Sequence, residues 1–333
     1  MTAYVGINGA ARNIAASYIG VDGVARKITK AYVGVNGVAQ LWWVAERNPK
    51  PAVLQVEKFT SDTYAGETTY TGESFILLNV YPKTNGTVKI TYGGLTKTIT
   101  DTSGAEEPNA QKVFFGTFNG ASDSVETPAS GTLTIEGAYR GYGLGTFSTN
   151  SKGLVSYATN SITGIIDMGE PAFIPGYAFY MCSNITLSSL PNGIAEIGSY
   201  AFYGCLKINI TEIPEGVVSI GDDAFHMTTK AASEITMSGA TVTFPRTLQS
   251  IGTNAFTSDY YTGDYLYYTY IDKAVMTSET PPVFGENAFG KKGGTMVSTS
   301  GSSYVTFVVP KGCVAAYKAA EGWPSLANCV EVN

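Results

Sequence analysis

Short runs of alternating apolar and polar residues fill most of the chain, and sustained helical periodicity is nearly absent. The clearest pattern lies in the C-terminal half. IPGYAF (174–179), IGSYAF (197–202), IGDDAF (220–225), IGTNAF (251–256) and FGENAF (284–289) are five copies of one segment. Their phenylalanines, Phe179, Phe202, Phe225, Phe256 and Phe289, stand 23, 23, 31 and 33 residues apart. Between the segments, Ile185, Leu187, Leu190, Pro191, Gly193 and Ile194 return 23 residues later as Ile208, Ile210, Ile213, Pro214, Gly216 and Val217. Such a period predicts a solenoid, in which each unit buries its apolar face by stacking on its neighbours. Ile-x-Leu has the period-two spacing of a short strand, which the proline ends by lacking an N–H. With rungs about 4.7–4.9 Å apart, the five rings should form one core column, the preceding alanine leaving room for each. A long, rigid flank of this kind suits recognition before chemistry.

A second repeat opens the chain. AYVGINGAARNI, SYIGVDGVARKI and AYVGVNGVAQLW align on Tyr4, Tyr18 and Tyr32, 14 residues apart. Asn8-Gly9, Asp22-Gly23 and Asn36-Gly37 supply the two positive-φ residues of a tight hairpin turn. Residues 1–44 are therefore read as three β-hairpins, or an equivalent six-strand meander, ending at Trp42 and Trp43. So short a segment buries little core alone, which predicts packing against copies of itself or a larger assembly. Tyr4, Tyr18, Tyr32, Trp42 and Trp43 are the candidate docking residues.

AERNPKPAV (45–53) reads as a linker. Beyond it come FILLNVYP (75–82), GTVKITYGG (86–94), LTKTIT (95–100), KVFFGTF (112–118) and GTLTIEG (131–137), with Asn85-Gly86 and Gly93-Gly94 at hairpin spacing. Residues 51–145 are read as an immunoglobulin-like β-sandwich without the Cys-Trp-Cys signature, serving as spacer or second interaction module. The fold class is mainly β: hairpin repeats, a central sandwich, and a solenoid over 160–333 closed by a short cap helix.

Composition narrows the function. Charged residues are 14% of the 333, the net charge is −6, and glycine (38) and tyrosine (22) are abundant. Phosphate neutralisation needs clustered Lys or Arg, so nucleic acid is not an expected partner. No apolar run has the length of a membrane-spanning helix. The N-terminus lacks a basic start followed by an apolar core, so release by lysis is expected rather than export.

Catalysis is not expected, and neither cofactor nor metal is. The one histidine, His226, follows Phe225 in a repeat turn, where a structural role suffices. GYGLG (141–145) lacks the strand–helix context and lysine of a phosphate loop and marks the junction of sandwich and solenoid. Asp222-Asp223 reads as a solvated turn pair. Of the four cysteines, Cys182 and Cys205 fall at equivalent positions of adjacent rungs and read as a small apolar ladder. Cys313 and Cys329 flank the cap helix, and their pairing stays open. The densest recognition candidate is SDYYTGDYLYYTYID (258–272), with Tyr260, Tyr261, Tyr265, Tyr267, Tyr268 and Tyr270 on an inserted hairpin. Tyrosine offers large amphipathic contact area at low entropy cost. This insertion serves either host contact or packing between subunits.

The repeat resembles the BspA-like leucine-rich repeats of bacterial surface proteins and of proteins of bacterial viruses. TFVVPKGCVAAYKAAEGWPSLANCV (306–330) resembles that family's C-terminal cap: Val309-Pro310 ends a strand, Val314–Ala320 forms a short helix, and Gly322 and Pro324 stop it. The opening repeats resemble the glycine-rich N-terminal repeats of tail proteins from phages and prophages of Gram-positive bacteria. Together these resemblances imply a non-enzymatic virion protein of the tail-fibre, receptor-binding type. Its N-terminus would dock to other virion proteins and its repeats would bind a host-surface protein or glycan. It would be made in the bacterial cytoplasm and assembled as a homo-oligomer, a trimer being one form. A head-decoration or baseplate protein and a bacterial surface adhesin are the alternatives.

Overall fold

The computed structural model describes residues 49–57, 75–118, 130–144, 162–229, 234–260, 267–290, 305–320 and 329–331, with 75, 117–118, 229, 259–260 and 267–268 by backbone alone. It also describes the backbone of residues 121–122 and of six strands before residue 45. The chain divides into two compact units, Met1–Asn48 and Pro49–Asn333.

In the first unit β1 (Tyr4–Ile7) pairs with β2 (Ala10–Asn13), β3 (Ser17–Val21) with β4 (Val24–Ile28), and β5 (Lys30–Val35) with β6 (Val38–Val44). All three pairs are antiparallel and close at Ile7↔Ala10, Val21↔Val24 and Val35↔Val38, a two-residue interval at each Asn-Gly or Asp-Gly. Among the described residues these are three separate two-stranded sheets. The side chains of Tyr4, Tyr18, Tyr32, Trp42 and Trp43 lie outside the described residues.

The second unit opens with a two-sheet sandwich built from β7 (Ala52–Val56), β8 (Phe75–Pro82), β9 (Thr87–Tyr92), β10 (Leu95–Thr100), β11 (Gln111–Phe118), β12 (Ala121–Ser122), β13 (Gly131–Gly137), β14 (Tyr139–Leu144) and β15 (Ile162–Asp167). One sheet has the order β10-β9-β13-β7-β15, the other β12-β11-β8-β14. Alternation drives the burial: Ala52, Leu54 and Val56, then Val88, Ile90 and Tyr92, point into the same core as Ile76, Leu78, Val80, Val113 and Phe115. Tyr92 meets Phe115 edge-on across the two layers at 5.7 Å. β8 with β11, and β9 with β13, reproduce the central pairings of an immunoglobulin-like sandwich. Relative to that pattern β7 and β14 have exchanged sheets, β7 lying beside β13 and β14 beside β8.

Gly93-Gly94 makes a true hairpin, with φ of +59° and +80° and Leu95 opposite Tyr92. Asn85-Gly86 does not, because β8 and β9 belong to different sheets. There the chain crosses the sandwich on Asn85 at φ +53°, held by the Asp101 carboxylate, which accepts from the Asn85 N–H (2.8 Å) and the Ser103 hydroxyl (2.6 Å). The Ser103 hydroxyl first, and then the Asn85 N–H, hold the Asp101 carboxyl below its ordinary value of 3.8. A depressed carboxyl stabilises the fold above its unfolded pKa and loses that contribution as pH falls through the folded value. Acid titration of thermal stability should therefore show a limb below about pH 4 that Asp101→Asn removes, together with a lower midpoint at neutral pH.

The sequence reading assigned 162–167 to the solenoid, but β15 pairs antiparallel with β7 as an outer strand of the sandwich sheet. Its other side bridges Gly164 to Thr186 in parallel, and the Ile165 N–H donates to the Thr186 carbonyl at 3.2 Å. The sandwich sheet thus runs on into the first repeat. On the other sheet the Leu144 N–H donates to the Ala178 carbonyl (2.6 Å). A Cβ on Gly143 would stand 2.6 Å from the Ala178 Cα, and one on Gly141 would stand 2.9 Å from the Phe173 carbonyl oxygen. Gly141 and Gly143 mark the junction because the two backbones touch there.

The solenoid stacks β16 (Phe173–Ile174), β17 (Glu196–Ile197), β18 (Ser219–Ile220), β19 (Met227–Thr229), β20 (Ala240–Phe244), β21 (Ser250–Ile251), β22 (Thr257–Tyr260), β23 (Tyr267–Thr269), β24 (Ile271–Met276), β25 (Val283–Phe284) and β26 (Thr306–Val309). Helix α1 (Val314–Ala319) and strand β27 (Cys329–Glu331) complete it. One parallel sheet runs β16-β17-β18-β21-β25, and a second runs β20-β24-β26-β27. The longer third and fourth repeats accommodate β19, β22 and β23, a separate three-stranded sheet. The cap helix falls where expected and buries Tyr317, whose hydroxyl donates to the Ser278 carbonyl at 2.6 Å. β27 adds a last strand beyond the one ending at Val309-Pro310.

Candidate recognition surface

The repeat turn explains itself from its residues. In copies two to five the glycine N–H donates to the isoleucine carbonyl of the preceding rung, at 2.8 Å each time (Gly198 to Ile174, Gly221 to Ile197, Gly252 to Ile220, Gly285 to Ile251). A Cβ on any of these four glycines would lie 2.3–2.4 Å from a backbone nitrogen of that rung, so only glycine fits. Two residues after Pro175 in the first copy and after these glycines in the others, Tyr177, Tyr200, Asp223, Asn254 and Asn287 occupy the left-handed region at φ +53° to +60°. The buried alanine follows, then the phenylalanine. N–H groups of alternate turn residues donate along the axis, as from Phe179 to Ala201 (2.7 Å), Phe202 to Ala224 (2.8 Å) and Phe225 to Ala255 (2.9 Å).

In-register turns line up equivalent side chains in files. The five phenylalanines stack nearly flat at centroid separations of 5.4, 5.3, 5.1 and 5.3 Å. The column is closed edge-on by Tyr142 of β14 against Phe179 and by Phe307 of β26 against Phe289. Offset and edge-to-face contacts of this kind add to the stabilisation from burial alone.

Two further files run beside it, and the sequence reading missed them. Tyr177 stacks on Tyr200 at 4.8 Å and 10°, and Tyr180 stacks on Tyr203 at 5.0 Å and 17°. Across the files Tyr177 lies 5.5 Å from Tyr180, and Tyr200 lies 5.6 Å from Tyr203. The four rings form a two-by-two lattice at the surface. Tyr180, Tyr200 and Tyr203 are half-buried, whereas Tyr177 is 45% exposed. The lattice is supported from its C-terminal side. His226, buried at 1% exposure, stacks under Tyr203 at 4.9 Å, with its Nδ1 2.7 Å from the Thr257 hydroxyl. Asp223 accepts a hydrogen bond from the Tyr200 hydroxyl. Burial, and then the Asp223 carboxylate, push the Tyr200 phenol up to about 12, so it stays a protonated donor. Burial also raises the Asp223 carboxyl, with neighbouring His226 acting in the opposite sense.

The left-handed region costs a residue with a bulky side chain about 1–2 kcal/mol, less for Asn or Asp. Copies three to five place Asp or Asn there, while the first two place tyrosine. Strained residues of this sort cluster at functional sites.

The structure places the other candidates as follows. Tyr260 lies on β22 and Tyr267 and Tyr268 on β23, an antiparallel pair in which Asp259 faces Tyr267 and Ser258 faces Tyr268. Their side chains, and all of Tyr261 and Tyr265, lie outside the described residues. Tyr270 is not a surface contact. It is 4% exposed and its hydroxyl donates to the Phe225 carbonyl at 2.7 Å, tying the insertion to the core. Cys182 and Cys205 are free and fully buried on adjacent rungs; burial pushes both thiols up. Cys313 and Cys329 are free and half-buried. Asp222 caps the next rung, its carboxylate accepting from the Thr253 N–H at 2.7 Å. Among the described residues no group of three or more His, Cys, Asp or Glu side chains converges to hold a metal, and no helix is long and apolar enough to cross a membrane.

Where β15 parts from the first repeats, a cleft of about 480 Å³ opens between Ile166 and Asp167 on one side and Thr186, Ser188, Lys207 and Asn209 on the other. Asp167 pairs there with Lys50.

Comparison with known proteins adds one result. Residues 172–260 match the family model described as BspA type Leucine rich repeat region, in six copies. No curated protein and no solved structure matches the chain. The matched segment holds the four-tyrosine lattice and the first four phenylalanines, so the similarity to BspA-type leucine-rich repeats covers both sets of rings.

Proposed function

We propose that this chain is a non-catalytic recognition protein whose solenoid turns bind a cell surface, and that it serves as a tail-fibre or receptor-binding component of a bacterial virus. The observation that carries the recognition reading is the tyrosine lattice, two of whose four residues hold left-handed backbone, on a solenoid that shares its core with the sandwich. Tyrosine is enriched at interfaces because it joins large contact area to a polar tip. The BspA-type repeat supports a surface- or adhesion-type protein. The one histidine lies sealed beneath Tyr203 in a supporting role, not at an open site. In this reading the N-terminal hairpins dock to the particle and the chain forms homo-oligomers. The virion placement rests on the likeness of those 14-residue repeats to phage tail proteins.

The same repeat region supports a bacterial surface adhesin as the second reading. Immunogold labelling with an antibody to the solenoid separates the two. Gold on the tail of particles released by induction supports the first, and gold confined to intact cell walls supports the second. For either, labelled full-length protein should adsorb to a panel of Gram-positive cells. Tyr265→Ala, Tyr267→Ala and Tyr268→Ala combined should weaken adsorption by about tenfold, the scale of one interface hot spot, with oligomeric state unchanged. Failure of assembly instead would assign those three to subunit packing.

A further inference from the structure

The phenylalanine column is closed by a ring at each end, but the tyrosine files are not closed alike. Asp223 backs the Tyr200 end and His226 backs Tyr203. At the other end of its file Tyr177 is the most exposed ring of the lattice, and among the described residues its ring contacts are Tyr180 and Tyr200 alone. One face of Tyr177 is covered by Tyr200, so a flat partner would extend the file as its next rung.

Resting on the recognition reading above, we infer that Tyr177, Tyr180, Tyr200 and Tyr203 form a binding platform for a neutral saccharide, one sugar ring seating on Tyr177. Charge selects this ligand class. Among the described residues no cation stands against the lattice to draw an anionic ligand. The nearby Asp223 carboxylate is engaged by the Tyr200 hydroxyl and faces His226, so it offers little to a cationic side chain stacking on the rings. What remains is an aromatic surface edged by phenol hydroxyls. That surface suits the C–H face and hydroxyl rim of a pyranose, which is likewise amphipathic and uncharged. Backbone choice points the same way. Asparagine satisfies the left-handed position in the fourth and fifth copies, so the fold alone does not require tyrosine in the first two.

The full-length chain and its Tyr177→Asn/Tyr200→Asn double variant are applied to an array of neutral hexose and N-acetylhexosamine oligosaccharides. In parallel, both are applied to Gram-positive cells pretreated with periodate or with protease. Wild-type protein should bind a subset of the array, and the double variant should lose at least about tenfold in affinity. The double variant should stay folded with a modestly changed thermal midpoint, because asparagine relaxes the backbone while Asp223 loses the Tyr200 hydroxyl. Tyr177→Asn alone should show most of the loss. Periodate, which destroys vicinal diols, should abolish adsorption, and protease should spare it. Unchanged array binding in either variant overturns the inference, and so does a double variant that unfolds, since the lattice would then be structural. Adsorption abolished by protease alone overturns the saccharide but keeps the recognition reading, with a protein as receptor. Array binding without adsorption to any cell keeps the saccharide site and removes the recognition reading.

Discussion

Phe225→Ala lowers the stability of the solenoid by about 3–5 kcal/mol, the scale of a fully buried aromatic truncation. Phe225 is fully buried, stacked between Phe202 at 5.3 Å and Phe256 at 5.1 Å, with its carbonyl held by Tyr270. Its removal leaves a void that neighbouring rungs cannot close, because their spacing is fixed by hydrogen bonds on both sides. Folded domains are stable by only about 5–15 kcal/mol in total, so the loss is a large fraction. In a stack whose units contact only their neighbours, a weak middle rung also uncouples the two ends. Urea unfolding followed by circular dichroism should show a lower midpoint and a broadened or split transition. Phe289→Ala, at the 8% exposed end of the column, should cost less and leave a single transition. Equal effects at both positions would mean that the column is not a continuous element.

Gly143→Val should separate the sandwich from the solenoid. A Cβ there would overlap both the Cα (2.6 Å) and the Cβ (2.9 Å) of Ala178, neither of which can swing aside. The strand must lift, losing the Leu144–Ala178 hydrogen bond and drawing Tyr142 away from the end of the phenylalanine column. Overpacking of this kind costs about 1–3 kcal/mol, and here it falls where two substructures share one core. Calorimetry should resolve two transitions for the variant and one for the wild type. Gly131→Ala is the control, since its Cβ would meet no heavy atom within 4 Å and the single transition should be unchanged.

The parts of this structure legible in the sequence are those set by a fixed offset. Equal spacing of the Ala-Phe pairs made the column visible, because stacked rungs put equivalent residues in one file. Asn-Gly and Asp-Gly marked the three N-terminal hairpins through a local conformational demand. Strand order in the sandwich was not legible. Alternation in 162–167 fits any half-buried strand, and nothing local says that β15 pairs with β7 rather than with a repeat. The exchange of β7 and β14 between sheets depends on long-range pairing in the same way, and Asn85-Gly86 shows that a hairpin dipeptide can serve a crossing between layers. Tyr270 looked like its neighbours in the insertion, and only the depth of its hydroxyl against Phe225 sets it apart. The tyrosine lattice had a sequence signal, Tyr-Ala-Phe-Tyr at both 177–180 and 200–203. The two copies lie far apart in the sequence, and only the register of adjacent rungs brings their rings together.

Hydroxyl-radical footprinting of the full-length protein on and off adsorbing cells tests the recognition surface most directly, because oxidation reports the exposure of each tyrosine ring. Adsorption should protect Tyr177 first, with Tyr180, Tyr200 and Tyr203 following, while exposed residues of the sandwich keep their reactivity. Protection confined to the sandwich or the N-terminal hairpins, with Tyr177 oxidised as readily as in solution, would contradict the assignment of binding to the solenoid turns.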